Sequence, residues 1–524
     1  MFSKRVRANR FELALCWASN YRYILLICFL LLQVLAFSLE GLWVEDFWEH
    51  SAAVSEFMRH PLNPSHPQLK LNAPHTLLNP YTFVVALTAS TFGMTAITTL
   101  SIFGVLNFCL FCWGLFAFIS IFCSGKNDTS KVSFYALLFV LFLWGDQPWP
   151  YSGFFSYQIF FFNLPYPSTF IGGLSLLALG LAGKDQTTLK PLRWLALTFV
   201  ISLCLLTHPL TAQFLVLGFI AQALFASHDT VIRLIMLAAA CIAAIALASL
   251  WPFYPFLELL QGAASVYDLS NGTMYYHFIE RVWPFIVLSP VIAWAMFQKQ
   301  QRVLLFIFCS TIAVYLFGLY THKYSYGRII SYTILVAQVC CAIVAVRLES
   351  SIERLHTRAL LAYQALFLCV LLGGSLGALH TATTRLLTAA NSIRLERPIF
   401  NQVIYKDYVF LNGDIPTGAT VFANLEASWL LPTFGAKVIA AQHPLAFVRD
   451  ADQRQQDLEL FFANGTAATK RLDLLMKYDA DYLLIDKSAD RNSKTIMLQL
   501  TELTHASVRF EDSRFVLFAL KQSN

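Results

Sequence analysis

The chain has 524 residues, 57% of them hydrophobic and 13% charged, with 46 phenylalanines, a formal charge of +6 and a mean hydropathy of +0.58. Apolar runs recur from residue 23 to about 380, and runs of about 18 or more apolar residues predict membrane-spanning helices rather than an ordinary soluble enzyme. Because lipid offers the backbone no partners, a helical bundle is expected, a β-barrel would need short alternating segments, and the positive charge belongs to orientation rather than to nucleic-acid binding.

Residues 1–22 are basic (Lys4, Arg5, Arg7, Arg10, Arg22), and an apolar run follows over 23–43. It exceeds the roughly 7–15 residues of a signal-peptide core and lacks a small-x-small exit. An uncleaved anchor with a cytoplasmic N-terminus is expected, which puts the next loop outside.

That loop, residues 44–80, reads VEDFWEHSAAVSEFMRHPLNPSHPQLKLNAPHTLLNP. It holds Glu45, Asp46, Glu49, Glu56, His50, His60, His66 and His75. Such a concentration of acids and imidazoles in an otherwise apolar chain marks it as the chemical centre. If a helix begins at Asp46, Glu49 and His50 follow three and four positions later on its face. A carboxylate there can act as a general base or hold a divalent cation, so Asp46 and Glu49 are also the candidate ligands for Mg²⁺ or Mn²⁺. The alternative is an acidic turn dressing the interface between Trp43 and Trp48.

Basic residues then alternate with outward segments. Lys126 and Lys131; Lys184, Lys190 and Arg193; His228 with Arg233; Lys299 with Arg302; and Arg347, Arg354 and Arg358 mark cytoplasmic turns. Residues 145–153, 251–284 and 321–328 fall outside. About eleven helices are expected, N-terminus in and C-terminus out, with 81–92 open to a re-entrant reading and 157–167 broken by two prolines. On that topology His50, His60, His66, His75, His277, His322, His443 and His505 lie outside, and His208 and His380 lie near outer helix ends. Only His228 and His356 face in, so the outer face is the expected active one.

All eleven cysteines precede residue 370, and the Cys109/Cys112 pair sits in an apolar run, so packing rather than metal or redox chemistry is expected of it. Arg281, His322, Lys323 and Arg328 are outward cations that run against the orientation rule. Binding a phosphate or pyrophosphate head group is one reason for them; pairing with loop acids or bilayer phosphates is the other. His208 stands beside Pro209, which predicts a polar notch or a kink with a locally satisfied imidazole. Asp146, Trp149, Tyr151 and Tyr166 suit sugar stacking but also an interfacial belt, which weighs more. His50, His75, His208 and Tyr151 are the candidate substrate-binding residues.

After residue 380 the composition turns polar, predicting a soluble α/β domain over 381–524 beside a transmembrane domain over 1–380. Strands are expected at 419–423, 437–441, 482–486 and 515–520, and helices at 450–462 and 467–478. No Walker A, GxGxxG, HExxH or GxSxG pattern occurs, so ATP-driven transport and zinc or serine hydrolysis have no footing. Charges within the spans are scarce, which disfavours ion-coupled transport.

The acidic first loop, VEDFWEH, on such a bundle resembles the GT-C superfold of membrane glycosyltransferases, distantly like the protein mannosyltransferase, aminoarabinose transferase and arabinofuranosyltransferase families. The stretches LTHPLTAQF, NLEASWLLPTFGAKVIAAQHP and RLDLLMKYDADYLLID resemble those of uncharacterised bacterial members. The resemblance implies an α-helical polytopic membrane fold with a C-terminal extracytoplasmic domain. It also implies a polyprenyl-phosphate-linked sugar donor, and a glycan, lipid or protein acceptor at the outer face of the bacterial cytoplasmic membrane. Asp46 becomes the catalytic base, with Glu45 or Glu49 assisting, and a single displacement would invert the sugar. The WWD-type signature of oligosaccharyltransferases is missing, which argues against en bloc transfer to asparagine. A flippase or transporter of lipid-linked sugars, a polysaccharide polymerase or ligase, and an inactive scaffold are the rival readings.

Overall fold

The computed structural model describes residues 21–35, 37–38, 43, 46–184, 191–226, 229–352, 405–490, 492–503 and 506–520, with 365, 369, 372–374, 376 and 380. These fall into two compact units that interleave along the chain. One lies within 1–41, 101–250 and 268–399, the other within 42–100, 251–267 and 400–524.

The first unit is helical. Its helices include α1 (Tyr21–Leu35), most of α4 (Ala96–Ile119), α5 (Lys126–Phe142), α6 (Tyr157–Asn163), α7 (Pro167–Lys184), α8 (Pro191–Thr207), α9 (Pro209–Leu224) and α10 (Thr230–Ser249). Prolines do the punctuation: Pro167 and Pro191 open α7 and α8, and Pro209 occupies the first turn of α9 with His208 as its N-cap. Among the described residues four helices are long and apolar enough to cross a membrane: α4, α10, Arg302–Tyr320 and Tyr324–Glu349. A fifth results if Phe278–Val287 and Ser289–Met296, bent by 60° at their junction, form one span. Helices α1, α8 and α9 are apolar but shorter. The chain is a polytopic helical membrane protein.

Burial sorts these helices. The most apolar window of Tyr324–Glu349 is 94% buried, against 22% in α10, so the former is a central helix and the latter peripheral. Polar side chains tie the central helix to its neighbours: Gln338 donates to the carbonyls of Phe139 and Leu143, Tyr332 to Thr211, and Thr333 to Thr311. Without water to compete, such bonds and close packing replace the hydrophobic drive between helices. The α4–α7 contact shows the packing term. A Cβ on Gly180 would stand 2.4 Å from the Ala117 carbonyl carbon, and one on Gly114 would stand 2.3 Å from the Gly173 oxygen.

The second unit contains α2 (Phe47–Arg59), α3 (Pro80–Phe92) and a five-stranded mixed sheet. The strands are β1 (Thr420–Phe422), β2 (Lys437–Val438), β3 (Tyr482–Asp486), β4 (Ser507–Glu511) and β5 (Phe515–Ala519), in the order β2-β1-β3-β5-β4. β1 runs parallel to β2 and β3, while β5 is antiparallel to β3 and β4. Helices Ala451–Phe462, Ala468–Lys477 and Ser493–Leu503 accompany the sheet, over a core that includes Phe422, Phe461, Leu483, Ile485 and Phe518. β4 and the Ser493–Leu503 helix are elements the composition did not announce.

The first loop joins this sheet. Leu69 bridges Val438 in parallel, and the Val438 amide donates to the Gln68 carbonyl at 2.8 Å. The Lys437 ammonium is buried on the Glu56 carboxylate at 2.9 Å and also donates to Ser65 Oγ and the carbonyls of His66 and Pro67. Loop 44–80 thus shares one compact unit with the C-terminal segment, although a division at residue 380 separates them along the chain. Asn79 and Thr82 close a reciprocal cap on α3, with Pro80 in its first turn.

Candidate functional site

Asp46 is the N-cap of α2, and Glu49 and His50 lie in its first turn and a half. Glu45 lies outside the described residues. The apolar side chains Phe47, Trp48, Ala52 and Ala53 bury α2 on several faces, which draws Glu49 and His50 inside with them; they are 7% and 6% exposed. Asp46 stays half-exposed, its side chain 38% accessible.

The two acids converge on one imidazole from the C-terminal segment. His443 Nδ1 lies 3.0 Å from Glu49 Oε1, and its Nε2 lies 3.5 Å from Asp46 Oδ1. Trp429 Nε1 donates to the same Glu49 oxygen at 3.2 Å, and Gln68 Nε2 reaches it at 3.4 Å. Burial pushes the Glu49 carboxyl up, but the His443 contact and hydrogen bond outweigh it and lower the group to about 2. Glu49 is therefore a fixed carboxylate that orients His443, while Asp46 is the accessible acid.

The same loop holds His66 and His75, with rings 4.7 Å apart and edge to face. His66 Nδ1 accepts from the amides of Gln68 and Leu69, and His75 Nδ1 from that of Leu77. Both rings are thereby held as neutral Nε2–H tautomers. Burial pushes the His50 and His75 rings down to about 4, and takes His66 well below its ordinary value. A histidine that is neutral when folded but protonated when unfolded stabilises the fold fully above pH 6.5. That contribution falls away between pH 6.5 and about 4, by about 3 kcal/mol per ring at most. The melting temperature of the purified protein should fall steadily over that interval, well before Glu49 titrates. A flat profile down to pH 4.5 would contradict the buried neutral rings.

A divalent cation needs an oxygen-rich cage. Among the described residues no three His, Cys, Asp or Glu side chains are grouped to hold one. Glu49 Oε1 is already engaged by His443, Trp429 and Gln68, so a cation held by Asp46 and Glu49 would have to use the other carboxylate oxygens.

The remaining candidates belong to the helical unit. Arg281, buried, donates to the Tyr276 carbonyl at 3.0 Å and lies over the Trp149 ring at 5.1 Å. Arg328 donates to Asn271 Oδ1 and Ser152 Oγ and lies over the Tyr151 ring. Tyr151 in turn donates to the Ser270 carbonyl and meets Thr273. Both arginines are thus organised by the segment around residues 270–276 and the aromatics of the preceding loop. His322 and Lys323 stay exposed, with His322 Nδ1 on the Tyr324 hydroxyl at 2.8 Å. His208 is the cap of α9, where Nδ1 meets Thr211 Oγ1 at 2.7 Å, which is the locally satisfied kink. Sequence reasoning missed His443 and Trp429 as partners of the acidic loop. The only available signal was that both lie in the stretch whose resemblance to bacterial GT-C members had been noted.

No protein-family model matches the sequence, and no curated protein matches it. Solved structures do. ArnT from Cupriavidus metallidurans, bound to undecaprenyl phosphate, superposes with a TM-score of 0.50 at 13% identity, over 96% of this chain and 99% of that one. The apo oligosaccharyltransferase from Archaeoglobus fulgidus gives a TM-score of 0.49 at 11% identity, over 97% of this chain and 75% of its own. The likeness to ArnT spans nearly the whole chain and is one of fold, at a distance that does not carry activity with it.

Proposed function

We propose that the protein transfers a sugar from a polyprenyl-phosphate donor to an envelope glycan, lipid or protein at the outer face of the bacterial cytoplasmic membrane. The bundle would have about eleven helices with its N-terminus inside. The observation that carries this reading is the meeting of Asp46 and Glu49 on His443, an arrangement suited to moving a proton. Asp46 takes the proton of an acceptor hydroxyl, and the oxygen attacks the anomeric carbon. The bond from that carbon to the phosphate oxygen breaks, and the lipid phosphate leaves with the electron pair, inverting the sugar. Glu49 holds the Nδ1–H of His443, so its Nε2 is presented toward Asp46 and can receive the proton. Arg281 and Arg328 are the proposed phosphate ligands, because a guanidinium fork matches phosphate oxygens, with His322 and Lys323 as exposed cations. The fold shared with a structure bound to undecaprenyl phosphate supports a lipid-phosphate donor.

Mass spectrometry of surface glycans and lipid-linked sugars in a deletion strain tests this. One sugar should vanish from the surface while its polyprenyl-phosphate form accumulates. An unchanged glycan profile would contradict the proposal, and a donor trapped on the inner face would support a flippase instead.

A further inference from the structure

The helical unit contains a second feature that sugar transfer does not use. A cavity of about 430 Å³ lies among α7, α8, α9 and α10, within the roughly 300–1,000 Å³ of small-molecule sites. Every helix lines it from the same end. The C-terminal parts of α7 and α9 contribute residues 174–183 and 219–223, and the N-terminal parts of α8 and α10 contribute 193–200 and 233–237. Its walls are chiefly apolar, with Leu197, Phe219 and Leu237 among them.

Three polar features break the apolar lining. Arg193 and Arg233 both line the cavity, with Arg193 fixed by a 2.6 Å bond to the Ala182 carbonyl. The Trp194 indole N–H is buried in the wall with no hydrogen-bond partner among the described residues. Two helix N-termini of full length, those of α8 and α10, add their positive ends, and neither has an acid in its first turn. Asp229, the exposed N-cap of α10, is not among the lining residues. A basic pocket between membrane helices, continuous with an apolar cleft, matches a lipid with an anionic head.

We infer that this cavity is a binding site for one anionic phospholipid of the surrounding bilayer. Its acyl chain fills the cleft among α7–α10, its phosphate meets Arg193 and Arg233, and an ester carbonyl or phosphate oxygen accepts from Trp194. The site is independent of the proposed transfer chemistry, since none of its residues belongs to that machinery.

Native mass spectrometry of the full-length protein, delipidated in mild detergent and titrated with phosphatidylglycerol or phosphatidylcholine of identical chains, tests it. The wild type should retain one phosphatidylglycerol with a preference on the order of tenfold, as two arginines near a lipid phosphate would give. Glycerol phosphate at equal concentration should not compete, because the chain supplies part of the binding. The double variant Arg193→Gln/Arg233→Gln should lose the preference, and Ala223→Phe, which fills the cleft, should lose retention of either lipid. Equal retention of the two lipids by the wild type would overturn the inference without recourse to any variant. So would an undiminished preference in the double arginine variant, or full displacement by glycerol phosphate.

Discussion

Asp46→Asn should slow sugar transfer by about 10²–10⁴-fold, the range a positioned general base contributes. The substitution keeps size and hydrogen-bonding capacity and removes only basicity. Because Asp46 is half-exposed at a helix N-cap and makes no side-chain capping bond, the fold should tolerate the change. The check is the rate at which an induced copy restores the surface glycan in a deletion strain, with membrane levels matched to wild type. A rate within twofold of wild type would remove Asp46 from the chemistry. His443→Ala should fall between the two, since it removes the proton's next stop and leaves Asp46 in place.

Lys437→Met should destabilise the second unit by about 3–5 kcal/mol. Glu56 has a side chain 2% exposed, and without the ammonium it is a buried carboxylate short of its main counter-charge. Burial alone would raise the Glu56 carboxyl; Lys437 and the Ser65 hydroxyl and amide keep it lowered. Arg59, 3.4 Å away, can recover only part of the loss. The double variant Lys437→Met/Glu56→Gln should regain most of the stability, because it removes both charges together. Denaturation of the four proteins in a double-mutant cycle checks this. A neutral Lys437→Met would mean that the backbone bridge and apolar packing hold the loop to the sheet without the ion pair. The pair also matters for the site, since Lys437 ties α2 to the strand that leads toward His443.

Much of this was legible in the sequence, and the reasons it was can be named. The turn into α2 follows from Asp46 ahead of an apolar-rich helix, and the spacing of Glu49 and His50 follows from 3.6 residues per turn. The strands at Tyr482–Asp486 and Phe515–Ala519 are short apolar runs between polar turns, and the breaks at Pro167 and Pro209 are dictated by ring chemistry. β4 escaped because it is an edge strand with mostly exposed residues, so no apolar alternation marks it. The partners of the acidic loop escaped for a different reason. Glu49 and His443 are separated by 394 positions, and Glu56 and Lys437 by 381, and no local pattern reports such a contact. Arg281 and Arg328 stand out in the sequence as cations in segments expected to face outward. That they sit over Trp149 and Tyr151 does not, because ring contacts between loops leave no periodic trace.

The most direct measurement is the lipid-linked sugar pool of the deletion strain carrying wild type or Asp46→Asn, resolved by mass spectrometry at equal membrane level and equal thermal stability. The account predicts that Asp46→Asn reproduces the deletion strain, with the polyprenyl-phosphate sugar accumulated and the same sugar missing from the surface. A wild-type pool and a wild-type surface in the Asp46→Asn strain would contradict it.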